Sequence, residues 1–300
     1  MKVLISGASG FVGTALTAAL RVEGHTVARL VRPGGTASEG DIPWNPAAAI
    51  IDTAAMQGVD AVVNLNGASI AALRWTRRRK QTLRASRIGP TRILVDSISQ
   101  LHAKPRVFVS ASATGYYGNR GDKVLTESNG PGAGFLSTLA RDWEAEANCA
   151  ELNGSRTVIL RFGVILSAKS GALPKMLTPF RLGLGGRLGD GSQWLSWIAL
   201  EDAVGAVLFA ITNDHFKGPL NVVAPNPVRN SEFTRTLASI MHRPAAIPVP
   251  AFVLRLMLGQ LADELLLASQ RVRPERLLAE GYAFRHDKLE SALRAILRKT

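Results

Sequence analysis

The sequence predicts an α/β protein with a doubly wound, mostly parallel sheet and a smaller second lobe. A short run rich in β-branched residues, 2–6, leads straight into a glycine-rich turn and then a helical stretch. Further apolar runs alternate with helical stretches along the chain: strands at 26–31, 60–68, 105–110 and 157–166, helices at 14–21, 77–100 and 135–148. Such alternation favours parallel strands joined by right-handed crossovers.

The glycine-rich turn, residues 7–13 with the sequence GASGFVG, predicts a dinucleotide site. Gly7 permits the tight turn, Gly10 lets backbone approach a pyrophosphate, and Gly13 lets helix pack closely on strand. The helix that follows offers unpaired N–H groups and its positive dipole end to phosphates. The glycine spacing is G-x-x-G-x-x-G rather than G-x-G-x-x-G, so the glycines alone are weak evidence. The prediction rests on their position between a strand and a helix. The alternative is a turn with a purely structural role. The predicted contacts are Gly7, Ser9, Gly10, Phe11, Val12 and Gly13.

Composition sets broad limits. Of 300 residues, 46% are apolar and 20% charged, which allows a large core and argues against general disorder. Cys149 is the one cysteine, so a reducing compartment is expected, and because the first strand starts at once we expect no signal peptide and a cytoplasmic protein. The most apolar long stretch, 252–272, carries Arg255 and two acids, which predicts a packed helix rather than a membrane span; no membrane partner is expected.

Positive charge is concentrated in one region. The net charge is +13, and no acidic residue lies between Asp60 and Asp96. Nucleic-acid binding is one interpretation, but Trp75 is the one aromatic residue in this region and no zinc or recognition-helix pattern is present. A solvated basic helix with one or two arginines facing an anionic cofactor or substrate is favoured over a nucleic-acid partner.

The end of the second strand predicts the choice of cofactor. NAD sites usually place an acid there to accept from the ribose 2′-hydroxyl. Here Val31 and Arg32 end the strand, without an acid. Arginine suits a 2′-phosphate through charge-assisted, often bidentate contacts, so NADP(H) is predicted over NAD. The alternative is an exposed arginine at the mouth of a loop.

Two further strand ends should contact the cofactor, because ligands of parallel sheets lie outside the carboxyl ends of the strands. The small-residue turn after the strand at 60–65 can lie against ribose and adenine. Hydroxyls and phenols at 110–118 lie where a nicotinamide would be, although an ordinary polar loop is the alternative. The predicted contacts from these regions and from the helical stretch between them are Leu65, Asn66, Gly67, Ala68, Thr82, Arg87 and Ser110.

These stretches resemble the extended short-chain dehydrogenases/reductases, and more narrowly the atypical group labelled epimerase-family proteins. The resemblance covers nearly the whole chain: 7–13, 63–68, 116–118, 143–145, 171–177, 180–186, 192–198 and 269–274. It implies an NAD(P)-binding Rossmann domain at 1–165 and 198–224 and a mostly helical substrate lobe at 166–197 and 225–300. It also places Arg87 toward the cofactor, with a solvated face as the alternative.

The superfamily pairs a tyrosine with a lysine four residues later, whose ammonium lowers the phenol pKa for proton transfer. That pair is missing here. The 3 tyrosines, Tyr116, Tyr117 and Tyr282, are followed at that spacing by arginine, glycine and histidine, and the glycines flanking Tyr116 disfavour a helix. Ser112 matches the superfamily serine. The candidate catalytic residues are Ser112, Tyr116 and, from the other lobe, Lys175; a solvated or structural lysine is the alternative for Lys175.

These features favour an NADP(H)-dependent oxidoreductase or epimerase acting on a small polar or nucleotide-linked substrate. The alternative is a non-catalytic NADP(H)-binding sensor or interaction protein. The missing tyrosine–lysine pair favours the second, whereas Ser112, Tyr116 and the substrate-type cleft favour the first. The 5 histidines are scattered without ligand spacing, so no catalytic metal is expected. Either a monomer or a homodimer is compatible with the sequence.

Overall fold

The computed structural model describes residues 1–71 and 74–298, so the last two residues of the predicted C-terminal lobe lie outside it. The strands are β1 (Lys2–Ser6), β2 (Thr26–Val31), β3 (Ile42–Asn45), β4 (Ile50–Ile51), β5 (Ala61–Asn64), β6 (Val107–Ala113), β7 (Val124–Leu125), β8 (Arg156–Phe162), β9 (Val164–Leu166), β10 (Trp194–Leu195), β11 (Trp197–Ala199), β12 (Gly218–Val222), β13 (Val228–Arg229) and β14 (Arg271–Val272). The α-helices are α1 (Phe11–Val22), α2 (Arg77–Ala85), α3 (Ile88–Gln100), α4 (Phe135–Asn148), α5 (Leu173–Arg181), α6 (Leu200–Thr212), α7 (Asn230–Met241), α8 (Ala251–Leu258), α9 (Glu275–Ala279) and α10 (Leu289–Arg298).

A central sheet organises the fold, with the strand order β12-β8-β6-β5-β1-β2-β3-β4. Its strands are parallel except β4, which pairs antiparallel with β3. Apolar side chains of α1 and α6 pack on one face, and those of α3 and α4 pack on the other. Strands buried on both faces explain why β1 reads as an unbroken apolar run. The predicted doubly wound α/β class is confirmed.

Two predicted elements are divided in the structure. The helical stretch 77–100 is two helices, α2 and α3, because Pro90 lies in the first turn of α3 and cannot continue a helix through Ser86. Arg87 stands at the break, which turns its side chain away from the outer face of α2. The strand predicted at 157–166 is β8 and β9, separated at Gly163, where a Cβ atom would lie 2.5 Å from the Ser196 carbonyl oxygen.

The prediction of a packed helix over 252–272 was wrong. Helix α8 ends at Leu258, Gly259 follows it with φ +59°, and then come a π-helical turn and β14. The outer side of α8 is exposed, with Phe252 at 68% and Leu256 at 75% of their full accessible areas. No helix within residues 1–71 and 74–298 is long and apolar enough to cross a membrane.

The C-terminal part has its own apolar cluster, built from α5, α7 and α10 around Trp197. The carboxylate of Glu264 joins this part to the sheet domain, because it accepts from the backbone N–H groups of Phe135 (2.9 Å) and Leu136 (2.7 Å) at the start of α4. A carboxylate at that position satisfies two free donors and the helix dipole. Strand β12 pairs with β8 at the edge of the central sheet. The boundaries predicted for the two lobes stay a prediction.

Candidate functional site

The turn between β1 and α1 leaves no room for a side chain at two of its glycines, Gly7 and Gly13. Gly7 has φ +76°, and a Cβ atom on it would lie 2.7 Å from the Leu65 carbonyl oxygen. A Cβ atom on Gly13 would lie 2.2 Å from the Gly7 carbonyl oxygen, which in turn accepts from the Gly10 N–H at 2.9 Å. Glycine is therefore required where the turn crosses the end of β5 and where α1 packs on it.

The start of α1 is open to an anion. Gly10 is its N-cap residue, no side chain caps it, and no acidic residue occupies its first turn. Ser9 and Gly10 are exposed, while Phe11 and Val12 are half-buried at the helix start. The positive end of the helix dipole therefore faces outward beside exposed backbone, the arrangement that binds phosphates.

A buried polar network lies under the strand ends. Asn64 donates to Thr91 Oγ1 at 2.7 Å and to Ser110 Oγ at 3.2 Å, and its own oxygen accepts from Ser6 and from Asn66. The predicted cofactor contact Ser110 is thus fully buried, with its hydroxyl bonded to protein groups. Asn66 directs its amide inward, to Ser6 Oγ at 2.7 Å, so its backbone faces the turn. The network fixes the floor of the site.

Thr82 also lies where its hydroxyl is engaged. It is exposed on α2 and donates to the Arg78 carbonyl oxygen of its own helix at 3.1 Å. A hydroxyl one helical turn from its acceptor is the usual arrangement of threonine in a helix. The structure therefore places Thr82 on the exposed surface of α2, and its cofactor contact stays a prediction.

Arg87 is a buried cation without a carboxylate. It is 7% exposed and donates to the carbonyl oxygens of Ala68 (3.0 Å) and Leu83 (3.1 Å), and its guanidinium lies 5.2 Å from the centre of the Trp143 ring. Among the described residues it has no ion pair. Burial, aided by the nearby Arg79, lowers the pKa of Arg87 to about 10, so it stays charged at neutral pH. A buried charge without a counter-ion is unfavourable, which an anionic ligand would relieve.

Gly67 brings that cation to the turn after β5. A Cβ atom on Gly67 would lie 3.0 Å from the guanidinium carbon of Arg87. The glycine therefore permits the guanidinium to pack directly against the backbone of Gly67 and Ala68. The solvated-face alternative for Arg87 is wrong, because the side chain is buried.

The end of β2 leaves one arginine free. Arg29 on β2 is held by Asp41, whose carboxylate accepts from its Nε at 3.0 Å. Burial opposes ionisation of Asp41, but hydrogen bonds from Arg29 and Ser38 hold its pKa below the usual range. Arg32 is exposed and has neither an ion pair nor a hydrogen bond from its side chain in residues 1–71 and 74–298. With Val31 and Trp44 it lines a cleft of about 380 Å³.

A buried ion pair lies behind the predicted catalytic serine. Ser112 on β6 is 4% exposed and donates to Glu144 Oε1 on α4 at 2.6 Å. Arg161 on β8 donates to both oxygens of the same carboxylate, Nε to Oε1 at 2.9 Å and Nη2 to Oε2 at 2.7 Å. All three side chains are buried, so the pair is bidentate and desolvated.

The same guanidinium organises both tyrosines of the loop after β6. Its central carbon lies 3.6 Å from the centre of the Tyr116 ring, and its Nη1 donates to the Tyr117 hydroxyl at 2.9 Å. Tyr117 is fully buried and donates to Asn221 at 2.7 Å on β12; burial raises the pKa of Tyr117 to about 12, so the phenol is neutral at physiological pH. Tyr116 is half-buried and is the phenol available to a ligand.

Neither Arg120 nor Lys175 takes the place of the missing lysine beside Tyr116. Gly118 has φ +64° and ends a single 3-10 turn, so Tyr116 and Arg120 do not share a helix, as predicted. Arg120 donates instead to backbone carbonyls, among them that of Pro131 at 2.8 Å. Lys175 is exposed on α5 and donates to the Ala71 carbonyl oxygen at 3.1 Å, without a hydrogen bond to either candidate hydroxyl.

Sequence reasoning missed Glu144 and Arg161 as parts of the site. A signal was present in the pattern. Glu144 stands on the apolar stripe of α4, and Arg161 interrupts an otherwise apolar strand, positions where charge is tolerated when paired. Within the described part of the chain, no group of three His, Cys, Asp or Glu side chains is arranged to hold a metal ion.

The parallel sheet, the glycine cradle and the cations at its carboxyl edge define the NAD(P)-binding Rossmann class. More narrowly, the chain belongs to the NAD-dependent epimerase/dehydratase family, whose model matches residues 3–223. Residues 249–296 match a further domain, DUF1731, of unknown function. The predicted family and fold are thereby confirmed.

Relatives match over nearly the full chain. An epimerase family protein of Mycobacterium leprae is 43% identical over 97% of this chain and 94% of its own length, and the Bacillus subtilis protein YfhF is 38% identical over 100% of both. The crystal structure of human epimerase family protein SDR39U1 (isoform 2) with NADPH has a TM-score of 0.89 and 34% identity, covering 100% of both chains. A Thermus thermophilus UDP-glucose 4-epimerase complex with NAD, at 16% identity and a TM-score of 0.78, shares the fold.

Removing the negative charge behind Ser112 should destabilise the protein. In Glu144→Gln, Arg161 is left buried without its counter-ion, so we expect the free energy of unfolding to fall by about 3–5 kcal/mol. Denaturant unfolding followed by circular dichroism measures this. The matched control is Glu146→Gln two positions along α4, which removes the more exposed ion pair with Arg92 and should cost under about 1 kcal/mol. Equal losses in the two variants would contradict the assigned role of the buried pair.

Proposed function

We propose that the protein is an NADP(H)-dependent oxidoreductase or epimerase acting on a small polar or nucleotide-linked substrate. The observation that carries the proposal is Arg87, a buried cation at the carboxyl edge of the sheet that has no carboxylate partner in the part of the chain that the structure describes. Its position beside the glycine cradle fits the phosphates of a dinucleotide. The NADPH in the structure of the human relative supports the same cofactor here.

The residues present fit that cofactor. The glycine turn at the start of α1 has no room for Cβ atoms at Gly7 and Gly13. The backbone N–H groups beside it would hold a pyrophosphate. Arg32, free of other partners and beside a cleft, would hold the 2′-phosphate that distinguishes NADP from NAD. When bound, the nicotinamide would supply or accept a hydride. The chain's own groups would bind the cofactor, orient the substrate and transfer the proton.

For proton transfer, Tyr116 is the stronger candidate. The Ser112 hydroxyl already donates its hydrogen to Glu144, so in this arrangement it can accept a hydrogen bond from a ligand but not donate one. The Tyr116 ring packs on the guanidinium of Arg161. This contact orients the ring and leaves the Tyr116 hydroxyl available for a hydrogen bond to a ligand. We infer that Tyr116 donates the proton to a substrate oxygen and that Ser112, as an acceptor, orients a neighbouring hydroxyl of the substrate. Lys175 has no role in this scheme.

A non-catalytic NADP(H)-binding sensor is the second candidate. The engagement of Ser112 with Glu144 and the exposed position of Lys175 favour it, because neither group is free to act beside Tyr116. Both candidates require the same cofactor site. They differ in turnover, which a sensor lacks with every substrate.

Cofactor preference is the first test. Because Arg32 ends β2 without a neighbouring acid, NADPH should bind at least tenfold more tightly than NADH, about 1.4 kcal/mol. Arg32→Ala should remove most of this difference by weakening NADPH alone. Isothermal titration calorimetry measures both cofactors. Arg21→Ala, which removes an equal charge from the exposed far end of α1, should leave the preference unchanged. Equal wild-type affinities for the two cofactors would refute the assignment.

Arg87 should act on the part of the cofactor that NADPH and NADH share. Arg87→Met keeps an unbranched apolar side chain at this buried position but removes the charge, so we expect both cofactors to bind at least about tenfold more weakly, since charged hydrogen bonds contribute about 1.5–3 kcal/mol. The control Arg84→Ala, on the preceding turn and paired with Asp142, should bind normally. Thermal unfolding reports whether each variant is folded. Unchanged affinity in a folded Arg87→Met protein would remove the residue from the site.

Turnover separates the two functions. A screen of carbonyl compounds and nucleotide sugars, followed by NADPH absorbance, should find a reducible substrate. With it, Tyr116→Phe and Ser112→Ala should each lower kcat roughly a hundredfold while NADPH affinity is retained. Tyr282→Phe is the control, because it removes one phenol oxygen that bonds to the Asp202 carbonyl elsewhere. Full turnover in the double variant would exclude this pair of hydroxyls.

A further inference from the structure

Six large apolar side chains protrude from one region of the C-terminal part. We call this region the apolar surface: Leu182 (69% exposed), Leu184 (55%), Ile247 (51%), Phe252 (68%), Leu256 (75%) and Met257 (65%). Contiguous exposed apolar area of this kind marks an interaction site, whereas single exposed side chains do not. The sequence analysis predicted that 252–272 would pack inside the protein, whereas in the structure the outer side of α8 is exposed.

Backbone pairing brings the two segments together. The Ile247 N–H donates to the Gly185 carbonyl oxygen at 3.3 Å, and the Val249 N–H donates to the Arg187 carbonyl oxygen at 2.9 Å. Ile247 therefore lies beside the residue that follows Leu184. Pro250 then starts α8, on which Phe252 and Leu256, four residues apart, share a face. The six side chains thus lie on two neighbouring segments, which also meet where a Cβ atom on Gly189 would lie 3.8 Å from Ala251 at the start of α8.

Arginines border the apolar surface. Arg74 lies against the end of α8, because a Cβ atom on Gly259 would be 3.1 Å from its Nε atom. Arg77 and Arg78 follow it on α2, and Arg181 and Arg187 lie exposed on the other segment. None of these five has an ion pair with a described residue. The first turn of α2 also lacks an acidic residue, so its arginines oppose the positive end of their own helix dipole.

We propose that this surface docks on an anionic lipid bilayer. The apolar side chains would enter the boundary between headgroups and acyl chains, and the bordering arginines would contact lipid phosphates. A fluid bilayer accepts protruding side chains without a shaped counterpart, which suits side chains that are more than half exposed. A symmetric contact between two copies would oppose the same arginines, in a chain of net charge +13. The sequence analysis expected no membrane partner because it found no spanning helix, and this proposal departs from that expectation since peripheral binding needs no spanning helix.

Vesicle co-sedimentation tests the proposal. We expect the wild-type protein to bind vesicles of phosphatidylcholine with an equal part of phosphatidylglycerol, to bind phosphatidylcholine alone at least about tenfold more weakly, and to lose affinity as salt is raised. The double variant Phe252→Ser/Leu256→Ser and the double variant Arg77→Gln/Arg78→Gln should each weaken binding at least about tenfold. The control Val22→Ser/Leu152→Ser, at two separate positions that are each 88% exposed, should bind as the wild type does.

Thermal unfolding followed by circular dichroism, measured in parallel, shows whether each variant is folded, and because it needs no cofactor it makes the result independent of the proposed function. Absence of binding to the mixed vesicles would overturn the proposal. Equal loss of binding in the control would overturn it as well, since the effect would not belong to this surface. Binding to poly-glutamate instead of vesicles would assign the surface to an acidic protein partner. A wild-type dimer in sedimentation velocity that dissociates in the Phe252→Ser/Leu256→Ser variant would assign it to a second copy.

Discussion

The ion pair between Arg161 and Glu144 is the contact on which the candidate site depends. Through it β8 is joined to α4, and through Ser112 and Tyr117 the same pair reaches β6 and β12. Four elements that meet at the carboxyl edge of the sheet are therefore held by one desolvated charge pair. Such a pair contributes little net stability compared with apolar packing, but its loss on one side is costly, so it specifies a single arrangement of the groups around it.

An arginine in this position has chemical consequences that a lysine would not have. Its guanidinium is always charged and planar, so it can stack on Tyr116 while donating to Glu144 and Tyr117 at the same time. A lysine could carry a proton between a phenol and solvent, whereas this arginine keeps its protons. Any proton that Tyr116 gives to a substrate must therefore be replaced through the ligand side of the site. The resemblance to short-chain dehydrogenases/reductases supplied the serine and the tyrosine, and the structure supplies a different cation.

Local sequence signals were sufficient where one segment determines its own structure. The bounds of β2 and α4 match the prediction, and the glycine turn lies as its strand-turn-helix context indicated. The failures arose where the outcome depends on distant partners. Nothing local shows that Ser110 is covered by Asn64, whose position is 46 residues away, or that Glu144 meets Arg161 across two elements. The exposure of α8 was missed for the same reason, because an apolar stretch is packed only if another element covers it.

The excess of positive charge in this chain is divided between two environments, and the division suggests two different anions. Arg87 is buried, where the low dielectric makes an unpaired charge costly and a specific ligand with fixed phosphates the effective partner. Arg77 and Arg78 of α2 and the arginines beside the apolar surface are exposed, where each contact is weak and salt-sensitive, and where only an extended array of negative charge gives appreciable attraction. Arg77 and Arg78 on α2 and Arg87 before α3 all follow the loop after β5, so the proposed cofactor site and part of the proposed anionic contact involve neighbouring parts of one segment. A chain of this net charge can thus combine a selective site for one small dinucleotide with a broad surface for many phosphates, because burial rather than residue type decides which anion each arginine prefers.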